Sequence, residues 1–141
     1  MNTYLSYSIA LFLLLACNKS AVNNQTDSFT NNEFFTSKID AKEKLSVALL
    51  KRNSKEKLID IQSVSYIKSD SSSLAILFYN TNTGRHNILF EKSTVIGENE
   101  AFKVTSCDGD ECVCKVSVSI DNQGKVTVNC SCSYCDLITS Q

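Results

Sequence analysis

The chain has no proline, no tryptophan, one histidine, one methionine and four glycines. A lone histidine, His86, excludes any site built on two imidazoles, the zinc-protease motif included. No glycine-rich phosphate cradle, no nucleophile elbow and no Ser-His-Asp order is present. An excess of one charge is missing too: 14 Lys and Arg stand interleaved with 15 Asp and Glu, for a net charge of −1. No basic stripe invites nucleic acid, which is therefore not an expected partner. These absences leave no catalytic residue to name and no cofactor to hold, so the sequence reads as a non-enzyme.

What the chain does have is cysteine. Six of its seven, Cys107, Cys112, Cys114, Cys130, Cys132 and Cys135, bracket a short alternating segment around Asp121-Asn122-Gln123-Gly124-Lys125. Gly124 sits where a three-residue hairpin loop needs a left-handed residue, which pairs Asp121 with Lys125. Ile120 then faces Val126, Val118 faces Val128, Val116 faces Cys130 and Cys114 faces Cys132, so every even position lies on one side. That side is apolar and sulfur-rich. The other carries Lys115, Ser117, Ser119, Thr127, Asn129 and Ser131.

A register shifted by two keeps the faces aligned and sets Cys114 against Cys130 and Cys112 against Cys132, leaving Cys107 to close on Cys135. The sequence does not choose among the pairings of six cysteines; the expectation is a nested set of disulfides with one bond closing the base. The alternative is a thiolate metal site for copper or zinc at Cys112, Cys114, Cys130, Cys132 and Cys135. Against it, cysteines at i and i+2 of a regular strand stand roughly 6–7 Å apart, too far to share one ion. Only Cys132-x-x-Cys135 has the spacing of a chelating turn. The same C-x-x-C lacks the helix N-terminus of a redox pair, so the metal-free, disulfide reading leads.

At the other end, the first sixteen residues carry no charge, and the apolar run Ile9 to Ala16 has the length of a signal-peptide core. Leu14-Leu15-Ala16-Cys17 follows, and it resembles the lipobox of bacterial lipoprotein precursors. The resemblance implies a signal peptide at 1–16, cleavage before Cys17, lipid on Cys17 and attachment to a membrane of the bacterial cell envelope. Asn18, in place of Asp, implies delivery to the outer membrane. Lipidating Cys17 also leaves an even six cysteines for bridges. Residues 17–32, rich in Asn, Ser and Thr, read as a flexible tether reaching roughly some tens of ångströms.

Residues 33–141 suffice for one modest domain. Ser37 through Arg52 reads as a helix, capped by Ser37 or Asp40 and ended at Asn53-Ser54, with Leu45, Ala48, Leu49 and Arg52 on one face. Ile61 to Lys68, Leu74 to Asn80, Arg85 to Lys92 and Ala101 to Ser106 read as strands, separated by Ser69–Ser73 and by Thr81–Gly84, where glycine again suits a bulged loop. Ala75–Tyr79 and Ile88–Phe90 are apolar on both faces, which implies central strands covered on at least one side. The expected fold class is α+β: one N-terminal helix on an antiparallel meander of about six strands ending in the cysteine-rich hairpin. That element order is similar to cystatin-like folds, which host unrelated functions.

The remaining residues have bland readings. His86 is expected as a solvent-facing strand residue, since a Cys-His nucleophile needs a free thiol. Asp108-Gly109-Asp110-Glu111 lacks the ligand spacing of a calcium loop and reads as an exposed turn. Tyr66, Phe78, Tyr79 and Phe90 read as core. Phe29, Phe34 and Phe35, apolar in a polar lead-in, are expected to dock on the domain's own sheet, with a partner surface as the alternative. The functional expectation is a membrane-anchored, disulfide-stapled envelope lipoprotein acting as a binding or interaction module whose ligand the sequence leaves open, an envelope protein being the candidate partner; the alternative is a lipoprotein that holds copper or zinc.

Overall fold

The computed structural model describes residues 29, 33–52, 55–69, 72–92 and 102–140. The signal at 1–16, Cys17, the tether at 17–32 apart from Phe29, the helix stop at Asn53-Ser54, the centre of the first turn at Asp70-Ser71 and the strand start at Ala101 lie outside the described residues.

Helix α1, Lys38–Lys51, begins where Ser37 presents its hydroxyl to the Asp40 backbone N–H at 3.1 Å. Asp40 reaches back in turn: its carboxylate accepts from the Thr36 N–H at 2.8 Å and pairs with Lys44 at 3.2 Å. Burial would raise the pKa of Asp40, but the Thr36 N–H and the Lys44 ammonium outweigh it and hold the carboxyl below its ordinary 3.8. A folded-state value below the unfolded one contributes stability that is fully present above the unfolded pKa and disappears as pH falls through the folded one. The stability difference between wild type and Asp40→Asn, read from urea midpoints between neutral and strongly acid pH, should therefore shrink below about pH 4. A gap that stays constant across that window contradicts the assignment.

Among the described residues seven strands follow, in two sheets. β1 (Leu58–Lys68), β2 (Ser73–Thr81), β3 (Gly84–Lys92), β4 (Phe102–Asp108) and β7 (Asp136–Ser140) form one antiparallel sheet in the order β1-β2-β3-β4-β7. β5 (Val116–Ile120) and β6 (Val126–Cys130) form a separate two-stranded ribbon. The fold is α+β, but the expected six-strand meander is corrected to seven strands in two sheets. The chain leaves the main sheet at Asp108, runs through the ribbon and returns at Asp136, directly opposite Asp108.

The reason lies in β2 and β3. Ala75, Leu77 and Tyr79, with Ile88 and Phe90, point to one face and pack against Phe34, Phe35, Ala41, Leu45, Ala48 and Leu49. Leu74, Ile76, Phe78 and Leu89 point to the other, where they meet Val116, Val118, Val126 and Val128 of the ribbon. A sheet apolar on both sides needs two covers: the helix supplies one and the folded-back ribbon the other. Two register shifts, between Leu58 and Asp60 and between Ile61 and Ser63, interrupt the ladder of edge strand β1.

The lead-in aromatics dock on the sheet as expected. Phe34 and Phe35 are buried, Phe35 meets Phe90 edge-on at 5.3 Å, and Phe34 stacks on Phe102 at 5.8 Å. Both hairpin glycines have positive φ, 145° at Gly84 and 77° at Gly124. Thr81 pairs directly with Gly84, so the second turn is a two-residue loop, Asn82-Thr83, rather than the bulged loop expected there.

Candidate functional site

The ribbon adopts the register its glycine favours: Val116 faces Cys130, Val118 faces Val128 and Ile120 faces Val126. Gly124 is left-handed, Asp121 N–H donates to the Lys125 carbonyl at 3.1 Å, and the Asp121 carboxylate accepts from the N–H groups of Gln123 and Lys125. Alternation along the ladder makes Val116 and Cys130 a non-hydrogen-bonded pair, so the N–H and C=O of Val116 point away from β6. Asn87 takes both. Its Oδ1 accepts from the Val116 N–H at 2.7 Å and its Nδ2 donates to the Val116 carbonyl at 2.9 Å, with Asn87 only 6% exposed. A side-chain amide thus stands in for a strand and sets the height of the ribbon over β3.

The strand geometry ends at Val116 and Cys130, and the expected pairing fails beyond that point. Lys115 and Ser131 still bond, through Ser131 N–H to the Lys115 carbonyl at 2.8 Å and Lys115 N–H to the Ser131 hydroxyl at 3.0 Å. Cys112, Cys114, Cys132 and Cys135 instead lie in loops. The disulfides are Cys107–Cys130, Cys112–Cys132 and Cys114–Cys135, with Cα separations of 5.7, 7.0 and 5.7 Å. The connectivity is crossed, first to fourth, second to fifth and third to sixth; the expected nested set with Cys107 closing on Cys135 is corrected. Cys107, in β4 under the ribbon, reaches Cys130 at the end of β6, which leaves the four loop cysteines to each other.

Those four sulfurs crowd together. Beyond the two bonds, Cys112 Sγ lies 3.3 Å from Cys135 Sγ, Cys132 Sγ 3.3 Å from Cys135 Sγ, and Cys112 Sγ 3.9 Å from Cys114 Sγ. All four lie within 4.8 Å of one another. Cysteines at i and i+2 stand too far apart only on a regular strand, and Cys112-Val113-Cys114 is not one. Cys130, counted in the sequence-based thiolate set, is not part of this cluster.

Gly109 makes the crowding possible. A Cβ there would sit 2.6 Å from the Tyr134 carbonyl oxygen and 2.9 Å from Cys114 Sγ, so only glycine lets the 109–112 loop lie flat on the Cys132–Cys135 turn. Nothing in the sequence marks that contact, since Gly109 reads as an ordinary turn residue beside Asp108 and Asp110. Asn87 did leave a signal: asparagine is depleted in strands, so one beside Ile88-Leu89-Phe90 implies a specific partner.

The other sequence candidates fall elsewhere. His86 is not a solvent-facing residue: its ring stacks on Tyr79 at 5.6 Å, and Nε2 lies 3.4 Å from Glu56 and 3.1 Å from the Thr83 hydroxyl. Every cysteine among the described residues is in a disulfide, so His86 has no thiol there to activate. Arg52 follows the helix and pairs with Asp108 at 3.5 Å, which explains a cation on the apolar helix face. Burial pushes the Tyr79 hydroxyl up to about 12; Arg52 opposes the rise, while Glu56 and Asp108 add to it. Arg52, Glu56, His86 and Asp108 border a cleft of about 350 Å³ beside the cysteine loops. Asp110 and Glu111 are exposed turn residues.

Two apolar side chains stand out on the stapled loops. Val113, between Cys112 and Cys114, is 67% exposed, and Tyr134, inside Cys132-x-x-Cys135, is 68% exposed. No protein-family model, curated protein or solved structure matches this chain, and the site is read from its own chemistry.

Proposed function

We propose that this chain is a lipid-anchored protein of the bacterial cell envelope, held to the outer membrane through Cys17, whose stapled domain binds an envelope protein. The observation that carries the reading is cysteine closure. Six cysteines are consumed by three mutual disulfides, which leaves Cys17 as the odd one, placed in the lipobox-like Leu14-Leu15-Ala16-Cys17. Structural disulfides belong to oxidising compartments, and an acylated Cys17 satisfies the remaining sulfur. Among the described residues no helix is long and apolar enough to cross a membrane.

Binding is assigned to the stapled end because Val113 and Tyr134 are held outward on loops that the disulfides immobilise. Ordering those loops costs little on association, and Tyr is a residue that interface cores favour.

Intact mass of the full chain, expressed in a lipoprotein-processing bacterium and isolated from membranes, tests the anchor. The expected species begins at Cys17, carries acyl mass, and exposes no thiol to alkylation until reduced. Cys17→Ser should release the protein from the membrane fraction. An unacylated product, or several thiols reactive without reduction, overturns the reading. A photocrosslinker at Tyr134 should trap an envelope protein that the same probe at Thr127, exposed on the ribbon's outer face, does not; equal yields count against the assigned surface.

A further inference from the structure

We propose that the four loop cysteines, once reduced, form a tetrathiolate site for one zinc ion, so that the same cluster is closed by two disulfides or by a metal. The inference is independent of the lipid anchor and rests on three observations. The first is spacing. A zinc–sulfur bond of about 2.3 Å places the four sulfurs of a regular tetrahedron about 3.8 Å apart. Three of the four non-bonded separations within the cluster, 3.3, 3.3 and 3.9 Å, already lie near that edge length, and no two of the four atoms are more than 4.8 Å apart. Opening two disulfides and admitting an ion therefore needs sulfur shifts on the order of 1–2 Å, within side-chain reach.

The second is the backbone that carries the ligands. Cys132-x-x-Cys135 is a tight turn in which the Cys135 N–H donates to the Cys132 carbonyl at 3.2 Å, and it offers both sulfurs from one side. Cys112-x-Cys114 lies in a loop pressed against that turn through Gly109. Two short loops each donating two thiolates is the usual build of a structural zinc centre. The two loops are held by contacts that survive reduction: Asn87 on Val116 and the Lys115–Ser131 bonds.

The third is bonding span. Cys112 and Cys132 stand 7.0 Å apart at Cα, against 5.7 Å in the other two pairs, and disulfides seldom bridge more than about 6.8 Å. A metal between them tolerates that width. Four sulfurs at tetrahedral spacing select zinc among the soft thiophilic ions, since Cu(I) is content with fewer ligands. Three of the four cysteines are only half-buried and Cys114 is the deepest, so an ion enters from solvent.

The conversion balances. Each of the two disulfides takes two electrons and two protons from a dithiol, which is left as its own disulfide; Zn²⁺ then displaces the four thiol protons and leaves a site of net charge −2.

Full-length protein reduced with a phosphine and titrated with Zn²⁺, then with Co²⁺ as a spectroscopic stand-in, tests this. One Zn²⁺ per chain is expected, with the Co²⁺ form showing the visible bands and thiolate charge-transfer of a tetrahedral sulfur site. Cys112→Ser/Cys132→Ser should lose affinity at least a hundredfold. Cys107→Ser/Cys130→Ser should keep one ion. If the reduced apo-protein loses its near-ultraviolet tyrosine signal, zinc should restore it. No uptake by the reduced protein, uptake of Cu(I) but not zinc, equal affinity in the Cys112/Cys132 variant, or an octahedral cobalt spectrum each overturns the proposal. None of these results bears on whether Cys17 is acylated, which the mass measurement decides.

Discussion

Phe35→Ala is expected to cost about 3–5 kcal/mol of folding stability, a large part of what a domain of this size possesses. Phe35 is 1% exposed and sits at the meeting point of three parts of the chain. Its ring meets Phe90 of β3 edge-on at 5.3 Å, Tyr66 of β1 at 6.5 Å, and neighbouring Phe34 at 6.3 Å. Lys44 of α1 lies 5.7 Å from its ring centre and bonds the Phe34 carbonyl at 2.7 Å, tying the lead-in to the helix. Truncation removes the apolar transfer term and leaves a cavity between helix and sheet that rigid strands do not close. Urea unfolding with the disulfides intact should show a lower midpoint and an unchanged slope. A loss below about 1 kcal/mol contradicts the packing described for this residue.

Asn87→Ala is expected to cost about 2–4 kcal/mol, through a different mechanism. Asn87 satisfies both backbone groups of Val116, and Val116 is itself buried, so neither N–H nor C=O finds water when the amide is removed. The cost is that of two stranded polar groups rather than of a lost contact. Asn87→Asp is isosteric but sets a carboxylate oxygen against the Val116 carbonyl; it should be at least as damaging at neutral pH and partly recovered by acid, where the protonated carboxyl donates. Hydrogen exchange at the Val116 amide should quicken in both variants by more than exchange in β2 and β3, where amides that open only with the whole domain lose no more than the global stability change. Uniform loosening of the whole domain refutes the idea that Asn87 acts on the ribbon.

These two residues also mark how far the sequence could be read. Phe35 was legible because three phenylalanines in a polar lead-in have to dock, and the nearest apolar surface belonged to this chain. The helix and strands β1 to β4 were legible for a similar reason: each is written in a local period, a cap or a turn glycine. The ribbon register was narrowed to two, and the one that forms is the one its turn glycine favours. Strand β7 was not, being five residues long with Leu137 and Ile138 both partly exposed on an edge. The fold-back of the ribbon was half visible, since β2 and β3 are apolar on both faces, but which segment covers the second face is a long-range fact. The cysteine pairing failed at one step. Treating 112–116 as a continuation of β5 gave sulfurs too far apart for a cluster, whereas the strand stops at Val116 and Gly109 draws the loop inward.

The crossed bridges also fix an order of events during maturation. Each disulfide joins the strip 107–114 to the strip 130–135, spanning 23, 20 and 21 residues. No bond can close until Cys130 has been synthesised, by which time helix α1, strands β1 to β4 and both arms of the ribbon already exist as chain. The first bond to form bears nearly the whole entropic cost of loop closure, and the next two close within a loop already shut. Once the ribbon has docked on β3, oxidation only seals cysteines that the fold has already brought together. A maturing chain is most exposed to wrong partners while those thiols wait, and an oxidant that arrives early meets six sulfurs that the fold has not yet sorted.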